Sequence, residues 1–280
     1  MKICVRAHDL GKMSASALAA AAADYGFDGV QLVLGKAIEG QTGAPGSVTA
    51  SFAQSVRETF ASGGVEIAML GAYFNPVHSN KSLVASNIEK FREHLRFAPL
   101  FGSRFVGSET GSFNDDKWTY HPQNRTPEAF AEVSRIFGDL AVSAKQYGSN
   151  LALEGAWGHC CWNPGTLRRL VDSIDNGHVY VTVDVYNYLY EGNYARHTEI
   201  FDECLDLFGS KIVIFHLKDF VVAGGALRQV GLGQGIMDWE YMIPRIAERC
   251  PGAYLIFEGV PPLNMRSSYA HISRLLGTLL

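Results

Sequence analysis

One pattern constrains this chain more than any other: a short apolar run, led in by a glycine or a charged residue and closed by a polar or acidic one, recurs along its length. The runs are residues 2–6, 29–33, 65–70, 104–109, 150–154, 178–184, 211–216 and 253–258. Such stretches are too short for helices. They are rich in β-branched and aromatic residues and apolar on both faces, as strands buried in a parallel sheet must be.

Between the runs lie stretches of helical length: 14–25, 48–62, 81–101, one opening at Thr126-Pro127-Glu128, then 164–173, 197–208, 238–249 and 268–279. Thr126 offers a capping hydroxyl, Pro127 suits the first turn, and Glu128 complements the positive end of the helix dipole. Leu83, Val84, Ile88, Phe91, Leu95 and Phe97 mark an apolar face in the third helix. Eight strands alternating with eight helices over 280 residues leave 35 residues per unit. The expectation is a single α/β domain over residues 1–280, a (β/α)8 TIM barrel, with no low-complexity linker dividing it.

Composition narrows the function classes. Hydrophobic residues make up 47% of the chain and charged residues 19%, enough for a large core. A net charge of −4 argues against gripping nucleic acid or an anionic membrane. Arg6 and His8 break the first apolar run, which reads neither as a signal peptide nor as a spanning helix. Cys4, Cys160, Cys161, Cys204 and Cys250 are odd in number and form no C-x-x-C pair. A soluble, cytoplasmic protein without disulfides is expected.

In a barrel of this kind, reactive groups stand at the C-terminal ends of strands. Four consecutive runs end on residues able to bind metal: Glu154, Asp184, His216 and Glu258. A carboxylate after any one strand is more often a cap or an ion-pair partner. Four in register at the same end favour a joint site. Three carboxylates and one imidazole suit Mn²⁺, Mg²⁺ or Co²⁺, with Zn²⁺ also accommodated.

These residues carry a family resemblance. Glu154 in Leu-Ala-Leu-Glu-Gly, Asp184 in Val-Thr-Val-Asp-Val-Tyr-Asn, His216 in Phe-His-Leu-Lys-Asp-Phe, the segment from Gly231 to Trp239 and Glu258 in Leu-Ile-Phe-Glu-Gly resemble, in order, the sugar isomerase/epimerase group of xylose-isomerase-like barrels. That group includes ketose 3-epimerases, hydroxypyruvate isomerases and inosose dehydratases. The resemblance implies a divalent-metal-dependent isomerase or epimerase of a small sugar or other polyhydroxy carbonyl compound. It also implies Glu154 and Glu258 as the acid–base pair, with Asp184 and His216 completing the metal shell. Removing a proton next to a carbonyl requires a base on the C–H and positive charge at the oxygen. A sugar isomerase therefore uses both glutamates and the ion.

The same shell could run a dehydration, making the chain a lyase. A related abasic-site endonuclease would need further histidines and a basic groove, and a non-catalytic binding barrel would need neither glutamate. Relatives associate as dimers or tetramers, so a homo-oligomer is expected. The chain departs from the ketose epimerases at Asn187 and Cys160, where those enzymes carry a histidine and a glutamate.

Candidate substrate-binding residues are His8, His78, Glu109, His159, Asn187, Lys218 and Arg228, the last by alignment with an arginine of the epimerases. Tyr73, Phe74, Trp118, Trp157, Trp162 and Tyr186 are expected to wall the pocket. Cys160-Cys161 reads as a buried apolar pair. Gly231-Leu-Gly-Gln-Gly follows an apparent loop and reads as a tight turn leading to Asp238, a helix cap, rather than a dinucleotide fingerprint.

Overall fold

The computed structural model describes residues 1–277. The eight expected runs form strands β1 (Lys2–Arg6), β2 (Gly29–Leu32), β3 (Glu66–Gly71), β4 (Phe105–Glu109), β5 (Asn150–Glu154), β6 (Val179–Val183), β7 (Ile212–Leu217) and, after a hairpin of β8 (Asp219–Ala223) and β9 (Ala226–Val230), β10 (Tyr254–Phe257). The eight pair in parallel and close into a barrel in the order β1-β10-β7-β6-β5-β4-β3-β2.

Helices α1 (Ala15–Tyr25), α2 (Leu34–Ala37), α3 (Ala50–Ser62), α4 (Lys81–Phe101), α5 (Pro127–Tyr147), α6 (Pro164–Ile174), α7 (His197–Phe208), α8 (Trp239–Arg249) and α9 (Met265–Gly277) occupy the connections. Their starts follow the polar residues before them. Ser14, Thr49, Asn80, Thr126, Asn163 and Asp238 each accept a backbone N–H from the first turn of the helix they precede. The last helix begins at Met265 rather than residue 268; its expected end at Thr278 and Leu279 lies outside the described residues.

Two elements were absent from the sequence reading. One is the single-turn helix α2. The other is the antiparallel β8–β9 hairpin, whose two-residue turn is Gly224-Gly225, both at positive φ. A two-residue hairpin turn favours that conformation and glycine supplies it without strain. The glycine-rich segment therefore follows a strand of the outer hairpin, not a loop.

Side chains alternate along every strand. One set packs outward against the helices, with Val5, Val30, Leu153, Val183, Phe215 and Phe257 in that shell. The other fills the barrel with Cys4, Met69, Phe105, Ala152, Ile214 and Ile256. Fit is tight there: a Cβ at Gly107 would meet the Met69 sulfur at 2.4 Å. Two residues further along β1, β5, β7 and β10 the same inward direction delivers Arg6, Glu154, His216 and Glu258. The site is the next layer above an apolar plug.

Candidate functional site

Glu154 closes β5, Asp184 follows β6, His216 lies one residue before the end of β7, and Glu258 follows β10. Glu154, Asp184 and His216 are buried and offer ligand atoms within 4.8 Å of one another. The His216 Nδ1 is 2.9 Å from Glu258 Oε2, 3.3 Å from Glu154 Oε2 and 3.8 Å from Asp184 Oδ2. All four expected side chains therefore meet around one ring nitrogen.

The other ring nitrogen is occupied. His216 Nε2–H donates to Gln31 Oε1 at 2.7 Å, and Gln31 in turn donates to the Tyr73 hydroxyl at 3.0 Å. That bond fixes the imidazole with Nδ1 toward the carboxylates. Nδ1 and Asp184 Oδ2 are both buried, and what faces them is the charge of the cluster itself: Glu258 and Glu154 at the ring nitrogen, Lys218 at the aspartate. Three buried carboxylates converging on one ring nitrogen are a costly concentration of negative charge that a bound cation would offset. An imidazole whose remote N–H is tied down is also how histidine ligands are oriented. Three carboxylates and a nitrogen fit a divalent cation.

Lys218 and Arg6 supply the permanent positive charge. Lys218 Nζ lies 2.8 Å from Asp184 Oδ2 and 2.9 Å from Glu258 Oε1. Arg6 reaches the same Glu258 oxygen at 2.7 Å and is itself gripped by Asp9. Burial pushes Glu154 up to about 7 against the pull of His216. Burial acts on Glu258 in the same sense, but Lys218, His216 and Arg6 outweigh it and hold that carboxyl well below its usual range. His216 rises to about 10 because Glu154 and Glu258 overcome the cost of its burial. The cluster draws positive charge to its centre.

Asn187 is turned onto this cluster. Its side-chain amide donates to Glu154 Oε1 at 2.6 Å, its carbonyl accepts from Lys218 at 3.1 Å, and its backbone N–H donates to Asp184 Oδ1. Asp219 accepts four backbone N–H groups, from Phe220, Gly233, Gly235 and Met237. It thereby wraps the glycine-rich turn around the start of β8. A Cβ at Gly235 would lie 2.2 Å from Asp219 Oδ1, which explains the glycine there. Asp238 then caps α8 as expected.

A cavity of about 330 Å³ opens above the cluster, lined among others by Arg6, His8, Tyr73, Glu109, Glu154 and Glu258. Burial and the charge of Arg6 pull the His8 imidazole down to about 4, so it is neutral at pH 7. Glu109 stands 3.8 Å from His159, whose Nε2–H donates to the Trp118 carbonyl. His78 stands behind the cavity wall: it accepts the Asn80 N–H and faces Asp116, one of the lining residues, at 3.3 Å. Arg228 sits exposed on β9 opposite Val221, outside the lining of that cavity. Phe74 packs with Phe91 and Phe137 in the core rather than walling the pocket. Cys160 and Cys161 are buried free thiols, pushed upward by burial, as expected of apolar fillers.

Sequence reasoning missed Gln31, Arg6 and Asp9. Gln31 had a signal: an amide inside an otherwise apolar run, at an inward position. Arg6 ends its run just as the glutamates end theirs.

The family model described as xylose isomerase-like TIM barrel matches residues 19–275. No curated protein sequence matches the chain. Among solved structures, a xylose isomerase-like TIM barrel protein from Mycobacterium smegmatis in complex with magnesium superposes with a TM-score of 0.78 at 15% identity, covering 99% of this chain and 97% of that one. A D-tagatose 3-epimerase-like protein gives 0.76 at 18% identity, covering 99% and 98%. The IOLI protein with a bound zinc atom gives 0.73 at 14%, covering 99% and 97%. At such identities the likeness is one of fold.

Proposed function

This chain belongs to the xylose isomerase-like TIM barrel family, and we propose that it is a divalent-metal-dependent isomerase or epimerase of a small sugar or other polyhydroxy carbonyl compound. The observation that carries the proposal is the His216 Nδ1, turned by the Gln31 hydrogen bond to face three carboxylates within 3.8 Å. Glu154, Asp184, His216 and Glu258 would hold the ion. Mn²⁺, Mg²⁺ or Co²⁺ suit the oxygen-rich set, and structures of similar fold hold magnesium or zinc. Once bound, the ion supplies positive charge to the substrate oxygens beside the carbon that loses its proton.

The rest falls to the chain. Glu154 and Glu258 flank His216 from strands on either side of it in the barrel order, so the two carboxylates can address a substrate from two directions. One removes the proton and the other returns it. Return to the same carbon from the opposite face inverts it; return to its neighbour isomerises the sugar. Lys218 and Asn187 hold Asp184, Glu154 and Glu258 in place, and Arg6 fixes Glu258. His8 and Glu109, at the cavity wall, would bind substrate hydroxyls.

The test is solvent deuterium exchange at the substrate α-carbon, followed by NMR on candidate ketoses. Wild-type protein with Mn²⁺ is expected to exchange, and chelation to stop it. Glu154→Gln and Glu258→Gln should each reduce the rate by about a hundredfold or more. Full exchange in either variant would remove its assigned role. Loss of water detected by mass would place the reaction among the dehydrations instead.

A further inference from the structure

Beside the 330 Å³ cavity over the metal cluster lies a second one of about 610 Å³, and the two share Glu109 and Trp118 as common walls. We infer that the substrate is a glycoside: a keto sugar ring occupies the cavity over the cluster, and a second, uncharged pyranose ring occupies the neighbouring cavity. This rests on the functional reading above and extends it to substrate class.

Volume is the first argument. Ligand pockets span about 300–1,000 Å³. The cavity over the cluster lies at the small end of that range, with space for one small ring. The adjoining cavity is the larger of the two.

Its walls have the chemistry of a pyranose. Trp157 stacks on Tyr190 with ring centroids 4.7 Å apart and planes at 27°, and Tyr120 lies against Trp157 at 5.2 Å. Arg125 donates to the Trp157 carbonyl at 3.1 Å and stands over the Tyr120 and Trp162 rings, which holds the assembly in place. Trp118 and Tyr186 complete an aromatic lining. A pyranose ring presents apolar C–H faces, which pack on aromatic surfaces, and a polar rim, which needs acceptors.

An acceptor is present. His159 is 4% exposed and lines the cavity. Its Nε2–H is spent on the Trp118 carbonyl, while its Nδ1, 3.8 Å from Glu109 Oε1, has no hydrogen-bond partner. An unpaired buried nitrogen is costly unless a ligand completes it. Two neighbouring hydroxyls of a sugar ring would do so, one donating to His159 Nδ1 and the other to Glu109.

Charge decides against an anionic group. Glu109 and Glu191 line this cavity, and no lysine or arginine is among the described residues that do. A phosphate or carboxylate would meet repulsion with no counter-charge. A hydroxyl-rich neutral ring meets none. Ala226 and Leu227, at the turn of the β8–β9 hairpin, close the outer side.

The experiment uses tryptophan fluorescence titrations of the full chain, with Mn²⁺ and after chelation. The ligands are D-fructose and four glucosyl-fructose disaccharides: turanose, maltulose, leucrose and isomaltulose. All four contain the fructose unit and differ in linkage. At least one disaccharide is expected to bind about tenfold more tightly than D-fructose. Trp157→Ala, and Leu227→Trp as a cavity-filling change on the outer hairpin, should each bring that ratio close to unity. Should Trp157→Ala fail to fold, Leu227→Trp decides. Four disaccharides binding no better than fructose, or an undiminished ratio in folded Leu227→Trp, would overturn the inference. Proton exchange on the same ligands separates the two claims. A disaccharide preference without exchange keeps the cavity and removes the reaction; exchange on fructose without a preference does the reverse.

Discussion

Gln31 spends its side-chain hydrogen bonds on His216 and Tyr73 rather than on the carboxylates, yet it decides which nitrogen His216 turns toward them. Its amide accepts the Nε2–H, and the Tyr73 hydroxyl on its other side prevents it from rotating freely. Groups placed behind a ligand in this way commonly matter by about 10–100-fold in metal affinity. Gln31→Leu is therefore expected to weaken Mn²⁺ binding by roughly that factor, measured by competition with a fluorescent chelator. An unchanged dissociation constant would show that the imidazole needs no such support. The four side chains proposed as metal ligands were legible in the sequence because each stands at the end of an apolar run. Gln31 was equally placed by its inward parity, but a single amide among valines and leucines is easily read as a tolerated core residue. Asn187 was legible as a position, though not as a side chain turned back onto Glu154 and Lys218.

Elements carry the next level of the account. All eight barrel strands could be read because apolar runs on a short period have no other use in a chain of this length. The β8–β9 hairpin was not, because its strands are half exposed and its signal is a bare Gly224-Gly225 turn. What ties that hairpin to the glycine-rich turn after it is Asp219. Removing its carboxylate leaves four backbone N–H groups without their acceptor, each costing about 1–3 kcal/mol where buried. Asp219→Ala should lower unfolding stability by at least about 3 kcal/mol in urea titrations. A loss under about 1 kcal/mol would mean that water or the turn itself satisfies those groups.

Helix α4 offers a pH test. Burial pulls His94 down to about 4 from the ordinary 6.5, despite its hydrogen bond to the Lys90 carbonyl. The unfolded chain takes up this proton below pH 6.5 while the folded chain resists until about pH 4. Stability is therefore intact above pH 6.5 and falls as pH drops through that window, by up to about 3 kcal/mol from this group alone. His94→Leu should flatten that part of the stability profile. An unaltered slope between pH 6.5 and 4 would assign the acid sensitivity elsewhere.

At the scale of the molecule, the barrel is an apolar cylinder with charge gathered at one mouth. Three carboxylates meet Lys218, Arg6 and one imidazole above a plug of Cys4, Met69, Phe105, Ala152, Ile214 and Ile256. Binding a cation only in the folded state stabilises that state by mass action. With Mn²⁺ at a hundred times its dissociation constant the gain is about 2.7 kcal/mol, a rise in Tm of about 5 °C for a chain of this size. Chelation should reverse it, and the Asp184→Asn variant should reduce it. No described helix is long and apolar enough to cross a membrane.

The most direct measurement is anomalous X-ray scattering at the manganese edge from crystals soaked in Mn²⁺. A single strong peak about 2.0–2.3 Å from oxygens of Glu154, Asp184 and Glu258 and from His216 Nδ1 is the expected result. A map with no peak there, and with Lys218 still bridging Asp184 and Glu258, would contradict it.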